Sequence, residues 1–124
     1  MPIGHWGVAL VGVALCAVGV YATISPRGAS AQYGVRIVDD GPAEAFGAAT
    51  GLRDIALGAI LALLAVAQTD GGVLGGVLML AAILPIGDLL IIRRHRSANV
   101  VAHLVHAIGA VGMIALGAWL VLFG

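Results

Sequence analysis

Residues 100–123 read VVAHLVHAIGAVGMIALGAWLVLF, an apolar run without one Asp, Glu, Lys or Arg. A bilayer hydrocarbon core of ~30 Å takes about 20 helical residues to cross, so this stretch is a membrane span by length and composition. Working back along the chain, residues 73–92 form a second such run, interrupted by Pro85, Gly87 and Asp88. Residues 42–67 form a third, which holds Arg53 and Asp54, and residues 6–24 a fourth that ends at Ser25-Pro26. The expected fold is therefore all-α: a single-domain membrane four-helix bundle of four transmembrane helices, with both termini on the same side. The start of the 42–67 span carries its own signature. Asp40 and Gly41 offer a cap, Pro42 takes the first helical position and Glu44 lies near the positive end of the helix dipole.

Composition excludes the main alternatives. Hydrophobic residues make up 61% of the 124 and charged residues 10%, whereas a soluble domain covers itself with about 25% charged residues. The formal net charge is zero, and the only basic cluster is Arg93, Arg94 and Arg96, so no nucleic-acid partner is expected. The one cysteine, Cys16, lies in an apolar stretch and excludes both an intrachain disulfide and a thiolate metal cluster. Every basic residue is arginine. Together with heavy Ala, Gly and Val usage, this reads as the codon bias of a GC-rich bacterial genome.

Arginine placement orients the spans. Arg27 and Arg36 fall in the first connection, Arg93, Arg94 and Arg96 in the third, and Arg53 near the same side. The positive-inside rule then sets those connections in the cytoplasm and both termini outside, in the cell's inner membrane. Trp6, Trp119 and Phe123 would form the outer aromatic belt and Tyr21 the inner one. Ala29-Ser30-Ala31 has the look of a signal-peptidase site, but no Lys or Arg precedes the apolar stretch before it. The segment is read as retained.

Arg53, Asp54, Asp88, His103 and His106 are ionisable side chains inside the spans, where each costs free energy unless it faces protein, water or a partner. At 1.5 Å per residue all fall in the half of the spans on the arginine-rich side. Helical phase gathers them further. Gly47, Gly51, Asp54 and Gly58 share one face; so do Asn99, His103, His106, Ala110, Met113 and Gly117, and so do Gly12, Cys16, Gly19 and Thr23. Small-residue faces of this kind pack helix against helix. Pro85 removes a hydrogen bond to the Ala81 carbonyl and is expected to bend its span just before Asp88. The segments Ile55-Ala56-Leu57-Gly58-Ala59 and Ile114-Ala115-Leu116-Gly117-Ala118 also hint at an internal repeat.

Two readings of the polar layer stand side by side. In one, Arg53 pairs with Asp54 or Asp88 to fix helix register, and the histidines bond to a carbonyl or to Asp88. In the other, His103, His106, Asp88 and Asp54 carry acid–base chemistry, because histidine titrates near neutrality and a carboxylate sets its tautomer. Arg53 and Asn99 would then bind substrate. The i, i+3 histidines with Asp88 could also present to a metal, but two histidines without a cysteine are a thin ligand set, so neither metal nor cofactor is expected. His5 and His95 are read as solvated.

Gly51-Leu52-Arg53-Asp54 with Gly58, then Pro85-x-Gly87-Asp88, then His103 early in the last span, resemble a family of small four-helix integral membrane proteins of bacteria and fungi, classed as a domain of unknown function. The resemblance covers nearly the whole chain and implies the four-helix fold without an activity. At the level of fold alone the chain is also similar to the DoxX-like and anthrone-oxygenase-like groups, which warrants no transfer of residues. The expected function is binding or acid–base conversion of a lipophilic small molecule entering from the lipid bilayer. An oligomeric proton-coupled exporter and a structural subunit of a membrane complex are the alternatives; the first of these makes a homo-oligomer the expected assembly.

Overall fold

The computed structural model describes residues 1–38 and 41–124. The expected cap residue Asp40 lies outside them. Gly41 takes the cap position with φ at +75°, Pro42 follows at the first helical position, and Glu44 sits in the first turn.

The chain is helical throughout its spans. Helix α1 covers Ile3–Ile24, α2 Pro26–Tyr33, α3 Pro42–Val66, α4 Gly71–Ala81, α5 Ile83–Arg94 and α6 Val100–Phe123. Four stretches are long and apolar enough to cross a membrane: α1, α3, α4 with α5, and α6. The third is two helices because Pro85 has no N–H to give the Ala81 carbonyl. The backbone tightens before the break, where Ala82 N donates to both Leu78 O (3.1 Å) and Met79 O (3.2 Å). The interruption falls at Ala82, three residues before Pro85.

The helices associate in two antiparallel pairs, each closed at glycines. In the first, Gly12 of α1 meets Gly58 of α3, and Gly19 meets Gly51. A Cβ at Gly51 would lie 2.5 Å from both Gly19 O and Thr23 Oγ1 and 2.7 Å from Thr23 N. Both glycine pairs are seven residues apart on each helix, the spacing that keeps one seam in register between helices crossing at a shallow angle. Cys16 Sγ donates to Ile55 O (3.5 Å) and Thr23 Oγ1 reaches Ala48 O (3.4 Å) along the same seam. In the second pair, Gly75 of α4 meets Gly117 of α6, and Gly71 meets Gly124. Gly58 and Gly117, the glycines of the repeated Ile-Ala-Leu-Gly-Ala segments, thus do the same work in their two pairs.

Both termini lie at one end of the molecule. His5 Nε2 bonds to Thr69 O (2.9 Å), Gly4 packs on Trp119 and Leu120, and Gly71 touches Gly124. His5 is buried rather than solvated, at 5% exposure. The cause is this convergence of α1, α6 and the 67–70 turn, which an isolated span cannot reveal. Trp6, Trp119 and Phe123 are exposed around the same end. The buried cluster of Val8, Leu61, Ala65, Leu74, Leu78, Met113 and Leu120 belongs to this half of the spans. The opposite half, which holds the arginines, buries fewer apolar side chains and carries the polar ones.

Candidate functional site

The connection between the first two long spans folds over the polar end. Helix α2 starts at Pro26 and stops at Gly34, whose φ of +92° is the left-handed conformation glycine adopts at helix ends. That turn rests on the connection before α6: a Cβ at Gly34 would lie 2.5 Å from Ser97 Oγ and 3.1 Å from Asn99 Cβ. Asn99 fastens both elements. Its Oδ1 accepts from Ala102 N (3.0 Å) as the cap of α6, while its Nδ2 donates to Gln32 O (3.1 Å). Ser97 Oγ accepts from Asn99 N (3.2 Å). At the other end of α2, Arg27 pairs with Glu44 of α3.

This docking sets Tyr33 against the third span. The Tyr33 hydroxyl donates to Asp88 Oδ1 (3.0 Å), with Asp88 O also near at 3.3 Å. The far carboxylate oxygen, Oδ2, lies 3.6 Å from His106 Nδ1. Tyr33 completes the triangle by meeting the His106 ring edge-on, with centroids 5.3 Å apart and planes at 73°. A T-shaped contact of this kind is favoured by the ring quadrupoles. Burial pushes the Tyr33 phenol well above its ordinary value, and the adjacent Asp88 carboxylate pushes it the same way. The phenol is therefore a neutral donor at physiological pH.

His103 points elsewhere. Its Nδ1 lies 2.8 Å from Asn99 O, one turn back on its own helix. With Nδ1–H donated to that carbonyl, Nε2 is left as the acceptor nitrogen. His106 and Asp88 are brought together; His103 and Asp88 are not.

Arg53 and Asp54 belong to a neighbouring groove of about 530 Å³ between α3 and the α4–α5 break. Its apolar wall includes Leu57, Val77, Leu80, Ala81 and Leu84. Asp54 is within electrostatic range of Asp88, and Leu84 lies one helical turn before Asp88 on the same face. Arg53 makes no ion pair among the described residues, with Asp54, Asp88 or any other carboxylate. Neighbours in sequence point about 100° apart on a helix, so Arg53 and Asp54 enter the groove in different directions.

The family match decides the identification. DUF4267, a domain of unknown function, matches residues 12–120. This chain belongs to DUF4267. The matched region begins within α1, ends within α6, and includes every residue of the polar site. Comparison with curated proteins and with solved structures gives no match.

Within this DUF4267 chain, the arrangement offers a carboxylate with a neutral phenol on one oxygen and an imidazole near the other. A guanidinium and a second carboxylate line the groove alongside. Among the described residues no group of three or more His, Cys, Asp or Glu is gathered for a metal. Tyr33 is the site residue that sequence reasoning missed. It lies in a connection without apolar periodicity, and only its position close before a glycine stop marks it.

Proposed function

We propose that this DUF4267 protein binds a lipophilic small molecule from the bilayer and carries out acid–base chemistry on its polar end. The observation that carries the reading is the groove at the α4–α5 break. Its volume of about 530 Å³ falls within the ~300–1,000 Å³ of small-molecule sites, and its walls are apolar with a few polar groups, as such sites require. It opens between exposed side chains such as Leu80 and Ile83, which face acyl chains in a membrane.

The roles follow from donor and acceptor inventory. Arg53 donates to a carbonyl or anionic oxygen. Asp54 accepts from a hydroxyl or amide of the same ligand. Asp88 Oδ2, 3.6 Å from His106 Nδ1, attracts the protonated imidazole, and Nε2 takes and returns a proton. Tyr33, kept neutral, holds Asp88 in place and shields it from lipid. His103, with its tautomer fixed by Asn99, is the second base. The arginine-rich end faces the cytoplasm in this reading, with both termini outside the inner membrane.

Native mass spectrometry of protein released from lipid nanodiscs tests the binding step. The wild type should carry a co-purifying lipophile. Leu84→Trp, which fills the groove, and Arg53→Ala should each lose it while remaining folded. The same bound molecules on all three proteins would sink the proposal.

A further inference from the structure

The polar end carries a second chemistry that the groove does not use. Arg93 and Arg94 close α5, Arg96 follows in the turn with φ at +52°, and all are exposed. Arg36, also exposed, lies two residues after Gly34, and Gly34 packs directly on Ser97 and Asn99. Two connections far apart in sequence therefore bring arginines to the same end of the molecule. Among the described residues, none of the four has a carboxylate partner.

Arginines in the last turn of a helix are explained in part by its dipole. That covers Arg93 and Arg94 but neither Arg96, beyond the helix, nor Arg36, on another segment; the positive-inside rule sets the side of all four without bringing the two connections together. With no carboxylate paired to them among the described residues, these guanidiniums attract an anion placed beside them. The approach to them is apolar. Leu90 and Ile91 are 60% and 47% exposed, while the adjoining Ile92 is fully buried and pins the register of the last turn. A ligand that runs along this face needs an acyl chain below and an anionic head above.

We propose that this face is a headgroup site for an anionic phospholipid, with the phosphodiester held by Arg93, Arg94 and Arg96 and by Arg36 of the neighbouring connection. Guanidinium forks suit phosphate oxygens through paired hydrogen bonds. The lipid would bridge the first and third connections and so hold α2 down over the polar end.

The test uses the full chain in nanodiscs of phosphatidylcholine alone and of phosphatidylcholine mixed with phosphatidylglycerol. Native mass spectrometry should find phosphatidylglycerol retained in preference to phosphatidylcholine. Each Arg→Gln change at 93, 94, 96 or 36 should weaken retention roughly fivefold, and added salt should weaken it further. Arg93→Lys keeps the charge but not the fork, and should retain more lipid than Arg93→Gln. Equal retention of the two lipids, or undiminished retention in all four Gln variants, would overturn the site. So would an equal thermal stabilisation by inorganic phosphate in pure phosphatidylcholine nanodiscs, which would make the site one for free anion rather than lipid. Each variant is read singly, so one misfolded protein leaves three to decide.

Discussion

Tyr33 donates its hydroxyl hydrogen to Asp88 Oδ1 across 3.0 Å, joining the end of α2 to α5, the second half of the third span. A carboxylate at a span end needs such a partner, because an unsatisfied acceptor facing lipid is costly. The same tyrosine meets the His106 ring, so one connection residue touches the two groups with the most evident acid–base capacity. The loop thereby completes the polar cluster, and its contacts can be probed one at a time.

Tyr33→Phe keeps the ring contact with His106 and removes the bond to Asp88. The expected cost is about 0.5–1.5 kcal/mol, the net worth of one hydrogen bond to a part-exposed carboxylate, read as a lower denaturation midpoint in mild detergent. The alkaline limb carries a second signature. The Tyr33 pKa is raised in the folded protein above an unfolded value of ~10. Its contribution to stability is thus fully present below about pH 10 and is lost as pH rises towards the folded value. Wild type should lose stability on that limb, and Tyr33→Phe should flatten it. An ultraviolet titration in which Tyr33 ionises like free tyrosine would contradict this.

The glycine seams predict a contrast between positions that look alike in sequence. Gly51→Ala pushes a methyl onto the backbone of Gly19 and Thr23, so the α1–α3 pair must separate, at about 1–3 kcal/mol. Gly76→Ala has nothing within 4 Å of the added Cβ and gains helix propensity of up to ~1 kcal/mol. Thermal unfolding in nanodiscs should show a fall for the first and no loss for the second. A fall in both would mean that the face bearing Gly76 is also covered.

Why some of this was legible in the sequence and some not has a physical answer. Spans are set by local length and hydropathy, so residues 100–123 predict α6 without any neighbour. The faces Gly12–Gly19 and Gly51–Gly58 are periodic and predict a seam, though not that they meet each other. Pro85 acts on its own backbone, and its effect follows at once. Tyr33, by contrast, becomes a site residue only because Gly34 docks on Ser97 and Asn99, a contact between distant connections. His103 and His106 share a helix face. Their different fates depend on where Asp88 sits across the interface and on the Asn99 carbonyl behind. His5 is buried by two other elements that converge on it.

Orientation has its own measurement. With Cys16 replaced by Ala, a single Cys at Ala98 should react with a membrane-impermeant maleimide only after cells are opened, while one at Thr69 should react in intact cells. The arginine-rich connections would then face the cytoplasm, as the positive-inside rule expects. The reverse pattern would turn the polar site towards the outside and change which pool of protons it can exchange with.

Pro85→Ala should separate stability from binding. The new N–H can bond the Ala81 carbonyl and the ring clash disappears, a gain of up to ~3 kcal/mol in a helix interior. The α4–α5 break at Ala82 should then heal, which moves Leu84 relative to Ala81 and Val77 and reshapes the groove they share with Arg53 and Asp54. The expected outcome is a protein that unfolds at higher temperature yet retains less of the co-purifying lipophile. Distances between spin labels at Met79 and Leu90, one on each side of the break, should lengthen towards the ~1.5 Å per residue of a straight helix. If the labels report a straightened span while ligand retention is unchanged, the groove at the break is not the binding site. If both rise, the break is a cost of the wild-type sequence rather than a functional device.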